Sequence, residues 1–208
     1  LKKMIRKAVI ISIEGTFLKP SEIDILKKEK PWGIILFKRN VQSEKQLIHL
    51  TKKIKQTMKD KKYPILIDEE GGLVSRLSNF LDNSKYNQKY FGNIYKSDKS
   101  IGTKFYKSYI NSISKVLLKT GININTAPVL DLLKKNTHKV IGNRSYSSSP
   151  EIVNKLGSLC INFYKANKIA TVVKHLPGHG GADSDSHFKL PKVNNSFRTL
   201  SKSDFKCF

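Results

Sequence analysis

The sequence predicts the α/β fold class, with a parallel sheet that is covered by helices. Short apolar runs rich in β-branched residues alternate with longer segments whose apolar residues recur at helical spacing. This alternation is typical of parallel sheets, because each helix returns the chain to start the next strand in the same direction. The five predicted strands are residues 8–13, 33–37, 64–67, 122–130 and 169–173. The last of these runs has the pattern of a strand that is buried on both faces. Residues 79–100 are polar and predict a long surface loop.

Three helices are predicted from apolar spacing and from residues that favour helix ends. Ser43 and Gln46 predict a capping box at the start of the first helix. Gly121 predicts the end of the second helix, and Ser149 with Pro150 predicts the start of the third. The residues expected to face the core are Leu47, Leu50, Ile54 and Met58 in the first helix, Phe105, Tyr109, Ile113 and Val116 in the second, and Val153, Leu156, Cys160 and Phe163 in the third.

Composition predicts one core and argues against a nucleic-acid or membrane partner. At 208 residues with 38% hydrophobic content, the chain is long enough to bury the core of one domain. The formal net charge is +23, but the lysines are scattered over the predicted helices and loops. They are not interleaved with aromatic residues in a base-stacking pattern. No apolar run approaches the ~18 residues of a membrane span.

The cysteines and the amino terminus predict a soluble cytoplasmic protein. Cys160 and Cys207 lie far apart and indicate neither a disulfide framework nor a CxxC site, which fits a reducing compartment. The apolar run 8–13 ends at Glu14 without a small-residue cleavage pattern, so it predicts a first strand rather than a signal peptide. The pattern gives no indication of an oligomeric state.

Polar residues follow four of the predicted strands, at the point where each strand ends. They are Arg39 and Asn40, then Asp68, Glu69 and Glu70, then Asp131, and finally Lys174 and His175. A closed barrel directs the carboxyl ends of its parallel strands to one face, so these side chains favour a barrel over an open sheet. The pair Gly71-Gly72 lacks the spacing of a dinucleotide-binding or phosphate-binding loop.

The densest group of titratable residues is the glycine-rich segment after the fifth strand. It reads Lys174-His175-Leu176-Pro177-Gly178-His179-Gly180 and is followed by Asp185-Ser186-His187. In an extended loop Asp185 and His187 can point the same way, and a carboxylate that accepts the imidazole proton raises the basicity of the histidine. The pair therefore predicts a proton shuttle.

The residues of this segment suggest two other interpretations. A zinc site would use its three histidines, but Pro177 and Gly178 forbid the helix on which an HxxxH pair converges, so no metal site is predicted. A Schiff base on Lys174 would need a desolvated amine, and this interpretation stays open.

Five motifs along the chain carry a family resemblance. They are residues 31–40 (PWGIILFKRN), 67–72 (IDEEGG), 127–131 (APVLD), 140–145 (VIGNRS), and 174–180 (KHLPGHG) with the following Asp185-Ser186-His187. In this order they resemble glycoside hydrolase family three over residues 8–208. Within that family the chain is similar to the bacterial β-N-acetylglucosaminidases of peptidoglycan recycling.

The resemblance implies a (β/α)8 TIM barrel that hydrolyses terminal, non-reducing β-linked N-acetylglucosamine with retention, through a covalent glycosyl-enzyme. It implies no cofactor, and the partner would be a glycan or muropeptide that contains N-acetylglucosamine. The residues implied to bind the sugar hydroxyls are Asp68, Arg144, Lys174 and His175, with Arg76 as a neighbour that could equally be a structural ion-pair partner. His187 is implied as the acid/base, and Asp185 would orient its ring and tune its pKa.

The resemblance also implies a nucleophilic aspartate, which no residue of this chain matches. In the family that aspartate follows a later strand, and only five of the eight barrel strands are predicted here. We therefore expect residues 1–208 to be the N-terminal part of a single glycoside hydrolase barrel domain, truncated at its C-terminal end. An unclosed barrel would expose apolar surface at its sheet edges.

Two hypotheses follow for the activity of the chain. In the first it is a glycosidase, completed by the absent part or by a substitute carboxylate such as Asp131 or Glu70. In the second it is an inactive relic or fragment that at most binds sugar. Glu69 and Glu70 are not expected to flank one glycosidic bond as a pair, because adjacent residues of a strand point to opposite faces.

Overall fold

The computed structural model of the protein describes residues 5–134, 137, 139–184 and 188–208. Five parallel strands form one sheet, in the order in which they occur in the chain. They are β1 (Lys7–Ile11), β2 (Pro31–Leu36), β3 (Ile65–Ile67), β4 (Ile124–Asn125) and β5 (Ala170–Thr171). Sequential parallel order is that of the first strands of a (β/α)8 barrel, so the predicted fold class is confirmed.

Helices connect each strand to the next. They are α1 (Pro20–Glu29), α2 (Glu44–Thr57), α3 (Gln88–Ser97), α4 (Lys99–Lys119) and α5 (Pro150–Ala166), and α6 (Phe197–Lys202) follows the last strand. Short 3-10 turns cover Lys38–Asn40, Gly142–Arg144 and Asp204–Cys207. Within the described ranges, no helix is both long enough and apolar enough to cross a membrane.

The fourth strand is much shorter than the predicted run of residues 122–130. Regular pairing covers Ile124–Asn125 alone. Pro128 has no N–H to donate, so the ladder is interrupted, and pairing resumes as a single bridge between Val129 and Lys174. This bridge fixes Lys174 beside the segment that continues from β4.

The prediction that the fifth strand is buried on both faces is wrong. Val172 and Val173 are 41% and 40% exposed. In the described part of the chain β5 pairs only with β4, and β1 pairs only with β2, so both are edge strands. Val9 and Ile10 of β1 are likewise each 46% exposed. The exposed apolar edges are those expected of a barrel sheet that is not closed.

The helix caps follow the prediction with one change of partner. The Ser43 hydroxyl accepts the backbone N–H of Gln46 at 3.2 Å, as expected of an N-cap. The Gln46 side-chain oxygen accepts the N–H of Gln42 at 2.9 Å instead of that of Ser43, so the predicted capping box is wrong in its second half. In α5 the predicted cap Ser149 accepts the N–H of Ile152 at 3.3 Å.

The predicted surface loop 79–100 contains helix α3, so this prediction is wrong. The helix begins after Asn87, whose side chain accepts a backbone N–H of the first turn. Its buried residues are Gln88, Phe91, Gly92 and Tyr95. Because the segment has few aliphatic residues, its composition concealed an amphipathic helix.

The core face of α4 is displaced by about one residue from the prediction. Ile113 is buried as expected, but Phe105 is 39% exposed, and Tyr109 and Val116 are partly buried. The buried residues include Tyr106, Ile110 and Leu117. All four core residues predicted for the first helix are buried, although Met58 follows the last residue of α2. In α5 Val153, Leu156 and Cys160 are buried, while Phe163 is partly buried.

The hydrophobic core is centred on strands β2 and β3. Ile34, Leu36, Ile65 and Ile67 of these strands are fully buried, and they belong to one apolar cluster with residues of α2, α4 and α5. Close packing around the middle of the sheet holds the strand ends, which carry the polar residues, in fixed positions.

Candidate active site

A pocket of about 510 Å³ opens at the carboxyl ends of the strands. Its walls contain all five residues implied to bind sugar, which are Asp68, Arg76, Arg144, Lys174 and His175. The first two follow β3, Arg144 ends the 3-10 turn before α5, and the last two follow β5. The volume lies in the range of roughly 300–1,000 Å³ that is typical of small-molecule sites.

Lys174 lies at the centre of the polar network of the pocket. Its Nζ atom is 2.9 Å from Asp68 Oδ1, 2.6 Å from Glu70 Oε1 and 3.3 Å from Thr126 Oγ1. Two adjacent carboxylates stabilise an ammonium group, whereas a Schiff base requires the free amine. The arrangement therefore opposes imine chemistry and favours Lys174 as a fixed hydrogen-bond donor.

Glu70 binds Arg144 through two parallel hydrogen bonds. Arg144 Nε donates to Glu70 Oε2 at 2.8 Å, and Nη2 donates to Oε1 at 2.9 Å. Burial alone would raise the pKa of Glu70, but the hydrogen bonds from Arg144 and the charge of Lys174 outweigh it, and the pKa is lowered. Glu70 is therefore ionised and fixes two cations of the pocket at once.

Asp68 is also held ionised, and it contacts Arg76. Burial would raise the pKa of Asp68, but Lys174, a hydrogen bond from Thr126 and the charge of Arg76 lower it. Arg76 Nη2 lies 3.4 Å from Asp68 Oδ2. Arg76 thus lines the pocket and also has the ion-pair role that was its alternative interpretation.

His175 is oriented by Asp131. Its Nδ1 atom lies 2.6 Å from Asp131 Oδ2, and its Nε2 atom lies 3.3 Å from Arg144 Nη2. Arginine only donates, so in this contact Nε2 accepts and Nδ1 donates to Asp131. Asp131 is fully buried, and its other oxygen accepts the backbone N–H of His179 at 2.5 Å. Asp131 is thereby committed to holding His175 and the glycine-rich loop.

The predicted acid/base pair, Asp185 and His187, lies outside the described residues. The rings of the other two histidines of the segment, His175 and His179, are 6.0 Å apart between centroids. Within the described ranges, no three His, Cys, Asp or Glu side chains form a group that could hold a metal ion.

Two residues of the network were missed from the sequence. Asn125 and Thr126 lie inside the run of residues 122–130 that was predicted as a strand, and both are buried. The Thr126 hydroxyl donates a hydrogen bond to Asp68, and the Asn125 side chain donates one to the backbone carbonyl of Glu69. Because buried polar side chains need hydrogen-bond partners, two polar residues in such a run were a usable signal.

Comparison with known proteins gives one family for nearly the whole chain. Residues 9–208 match the model described as "Glycosyl hydrolase family 3 N terminal domain". The chain is 32% identical to the β-hexosaminidase A of Pseudoalteromonas piscicida over 204 residues, which is 93% of this chain and 32% of that protein. It is 30% identical to the β-hexosaminidase of Hydrogenovibrio crunogenus over 200 residues, which is 96% of this chain and 55% of that protein.

Solved structures agree with the sequence comparison. The native NagZ structure from Neisseria gonorrhoeae matches with a TM-score of 0.87 and 31% identity, over 97% of this chain and 58% of that chain. The same enzyme in complex with N-trifluoroacetyl-D-glucosamine matches with the same score and identity. The chain spans roughly a third to three fifths of the length of these relatives. Together, the barrel topology, the pocket and the match over residues 9–208 place this chain in the glycosyl hydrolase family 3 N-terminal domain family.

Proposed function

We propose that the chain provides the substrate-binding part of a retaining β-N-acetylglucosaminidase and binds a terminal N-acetylglucosamine in the pocket. The observation that carries this proposal is the convergence of Asp68, Arg144, Lys174 and His175 in one pocket, although they come from three separate parts of the sequence. The complex of a relative with N-trifluoroacetyl-D-glucosamine supports a sugar of this class.

The arrangement of donors and acceptors suits a ring of sugar hydroxyls. Asp68 supplies carboxylate oxygens that accept hydrogen bonds from hydroxyl groups, while Lys174 and Arg144 supply charged donors. The contact of Lys174 with Glu70 and that of His175 with Asp131 hold these two side chains in place before a ligand arrives, so little side-chain entropy is lost on binding.

The chemical step is assigned to the Asp185–His187 pair. We propose that His187 donates a proton to the glycosidic oxygen as the leaving group departs and then takes a proton from the water that hydrolyses the glycosyl-enzyme, and that Asp185 orients its ring. We also propose that the substrate is a muropeptide and that the protein is cytoplasmic. Residues 1–208 would form the N-terminal part of a single barrel domain.

Sugar binding without turnover is the second candidate. The two carboxylates that line the described part of the pocket, Asp68 and Glu70, both contact Lys174. Asp131 accepts hydrogen bonds from the His175 ring and from the backbone N–H of His179 in the glycine-rich loop. A nucleophile must be free to attack the anomeric carbon, and these contacts oppose Asp131 or Glu70 in that role.

The direct test is nitrophenol release from a chromogenic β-N-acetylglucosaminide by the 208-residue chain. His187→Ala is compared with His49→Ala, a change at an exposed histidine of α2. We expect the folded chain to bind the substrate and to turn it over far below the ~1–1,000 s⁻¹ that is usual for enzymes.

Each outcome of this assay has a definite meaning. Release that His187→Ala removes and His49→Ala retains would assign the acid/base role to His187. Turnover in the usual enzyme range would contradict the second candidate. A folded chain that releases no nitrophenol, and that also fails to bind N-acetylglucosamine in a separate titration, would contradict both candidates.

A further inference from the structure

Glu69 stands between two pocket residues but faces away from the pocket. Asp68 and Glu70 line the pocket, whereas Glu69 is directed inward and is 2% exposed. This is the alternation expected of adjacent residues at a strand end, and it means that Glu69 does not contact a bound sugar. Its contacts are with the protein itself.

The backbone of Glu69 is fixed to β4 by one side chain. The Glu69 N–H donates to Asn125 Oδ1 at 3.0 Å, and Asn125 Nδ2 donates to the Glu69 carbonyl at 2.8 Å. Asn125 is fully buried, and its Nδ2 also donates to the Tyr164 hydroxyl at 2.9 Å. The start of the loop after β3 is thereby held against the next strand.

The carboxylate of Glu69 fixes the far end of the same loop, at Arg76 and Leu77. Its Oε2 atom accepts the backbone N–H groups of Arg76 at 2.8 Å and Leu77 at 3.0 Å. Its Oε1 atom accepts Asn83 Nδ2 at 2.5 Å. One residue therefore joins both ends of the segment that carries Asp68, Glu70 and Arg76.

No cation compensates the charge of this carboxylate within the described residues. The nearby guanidinium of Arg76 pairs with Asp68, and Arg144 and Lys174 pair with Glu70. The hydroxyls of Tyr109 on α4 and Tyr164 on α5 also face this region, and burial keeps the pKa of each well above its usual value. Burial raises the pKa of Glu69 despite its hydrogen bonds.

Asn83 can adapt to a neutral partner at position 69. Its Oδ1 atom is buried and has no hydrogen-bond partner among the described residues. Its Nδ2 atom lies 3.4 Å from the Tyr109 hydroxyl as well as facing Glu69. Rotation of the Asn83 amide by half a turn would turn Oδ1 toward Glu69 and the Tyr109 hydroxyl. A protonated Glu69 and the tyrosine hydroxyl could then each donate a hydrogen bond to this oxygen.

We propose that Glu69 is a positioning residue that holds the sugar-binding loop as a hydrogen-bond acceptor rather than as a charge. Glutamine at position 69 should therefore preserve this function, because its amide oxygen can accept both backbone N–H groups and its amide nitrogen can donate to a rotated Asn83. Alanine should not preserve it, because it leaves those buried N–H groups without an acceptor. The link to sugar binding rests on the proposed function of the pocket.

The first arm of the test compares Glu69→Gln with Glu69→Ala by titration with N-acetylglucosamine. We expect the glutamine variant to bind as the unchanged chain does, and the alanine variant to bind at least about tenfold more weakly. Glu151→Gln, at an exposed position of α5, is the matched control. Loss of binding in the glutamine variant equal to that in the alanine variant would overturn the proposal.

The second arm uses melting temperature against pH and needs neither the alanine variant nor a sugar. A carboxyl whose folded pKa is raised destabilises the fold as pH rises from its unfolded value of about 4.5 through the folded value. The melting temperature of Glu69→Gln minus that of the unchanged chain should therefore increase as the pH rises above about 4.5.

A pH-independent difference in the second arm would overturn the proposal. A pH-dependent difference in a chain that binds no N-acetylglucosamine would instead contradict the proposed function and leave the role of Glu69 in the loop supported. The two failures are therefore distinguishable.

Discussion

Replacing Lys174 by methionine is expected to lower the free energy of unfolding by about 3 kcal/mol and to abolish N-acetylglucosamine binding. Removal of one partner of a buried ion pair costs roughly 3–5 kcal/mol, because a charge is left uncompensated. Here two carboxylates, Asp68 and Glu70, would face each other without the ammonium that now lies 2.9 Å and 2.6 Å from them. The lower end applies because Arg144 still neutralises Glu70 and Arg76 still contacts Asp68.

Urea denaturation at neutral pH measures this loss, with Lys107→Met at an exposed position of α4 as the control. The control should change stability by no more than about 0.5 kcal/mol. The deficit of the Lys174 variant should shrink on acidification, as the two facing carboxylates take up protons. A Lys174 variant as stable as the control would show that the network does not support the fold.

Gly92→Ala is expected to destabilise the chain by roughly 1–3 kcal/mol and to weaken sugar binding. A Cβ atom at Gly92 would overlap the carbonyl group of Tyr146, which lies two residues after the pocket residue Arg144. Helix α3 would have to move away from the segment that positions this arginine. Gly15→Ala is the control, because a Cβ atom there has no neighbour within 4 Å.

The sign of the stability change makes the Gly92 test decisive. Alanine favours a helix interior over glycine by about 1 kcal/mol, so an uncrowded position in α3 would be stabilised by the substitution. Thermal or urea denaturation that shows a gain in stability would contradict the close contact between α3 and Tyr146. Unchanged sugar affinity in a destabilised variant would separate this contact from the placement of Arg144.

The sequence predicted the residues of the pocket better than the contacts between them. Short β-branched runs and the polar residues after them are local signals, so the five strands and their functional ends were found. The contact of Lys174 with Asp68 joins residues 106 positions apart, and it depends on the register of β3, β4 and β5. No local pattern encodes that register, so the sequence leaves Glu70 open as a substitute nucleophile, whereas its contacts with Arg144 and Lys174 oppose that role.

Errors in the fold prediction have similar physical causes. The β4 run is apolar enough for a long strand, but Pro128 interrupts its ladder. The β-branched pattern of β5 suggests burial, but burial depends on which strands flank it. Helix α3 was missed because its buried face uses Gly92, whose role is close approach to Tyr146 rather than apolar area.

Titration of the 208-residue chain with N-acetylglucosamine, followed by backbone amide chemical shifts, tests the central claim most directly. We expect saturable shifts that cluster at residues 68–76, 141–144 and 174–175, the walls of the pocket. Asp68→Asn should weaken the binding at least about tenfold, whereas Asp82→Asn at an exposed position should leave it unchanged. Shifts that do not saturate, that map elsewhere on the surface, or that survive Asp68→Asn unaltered would contradict a sugar site in this pocket.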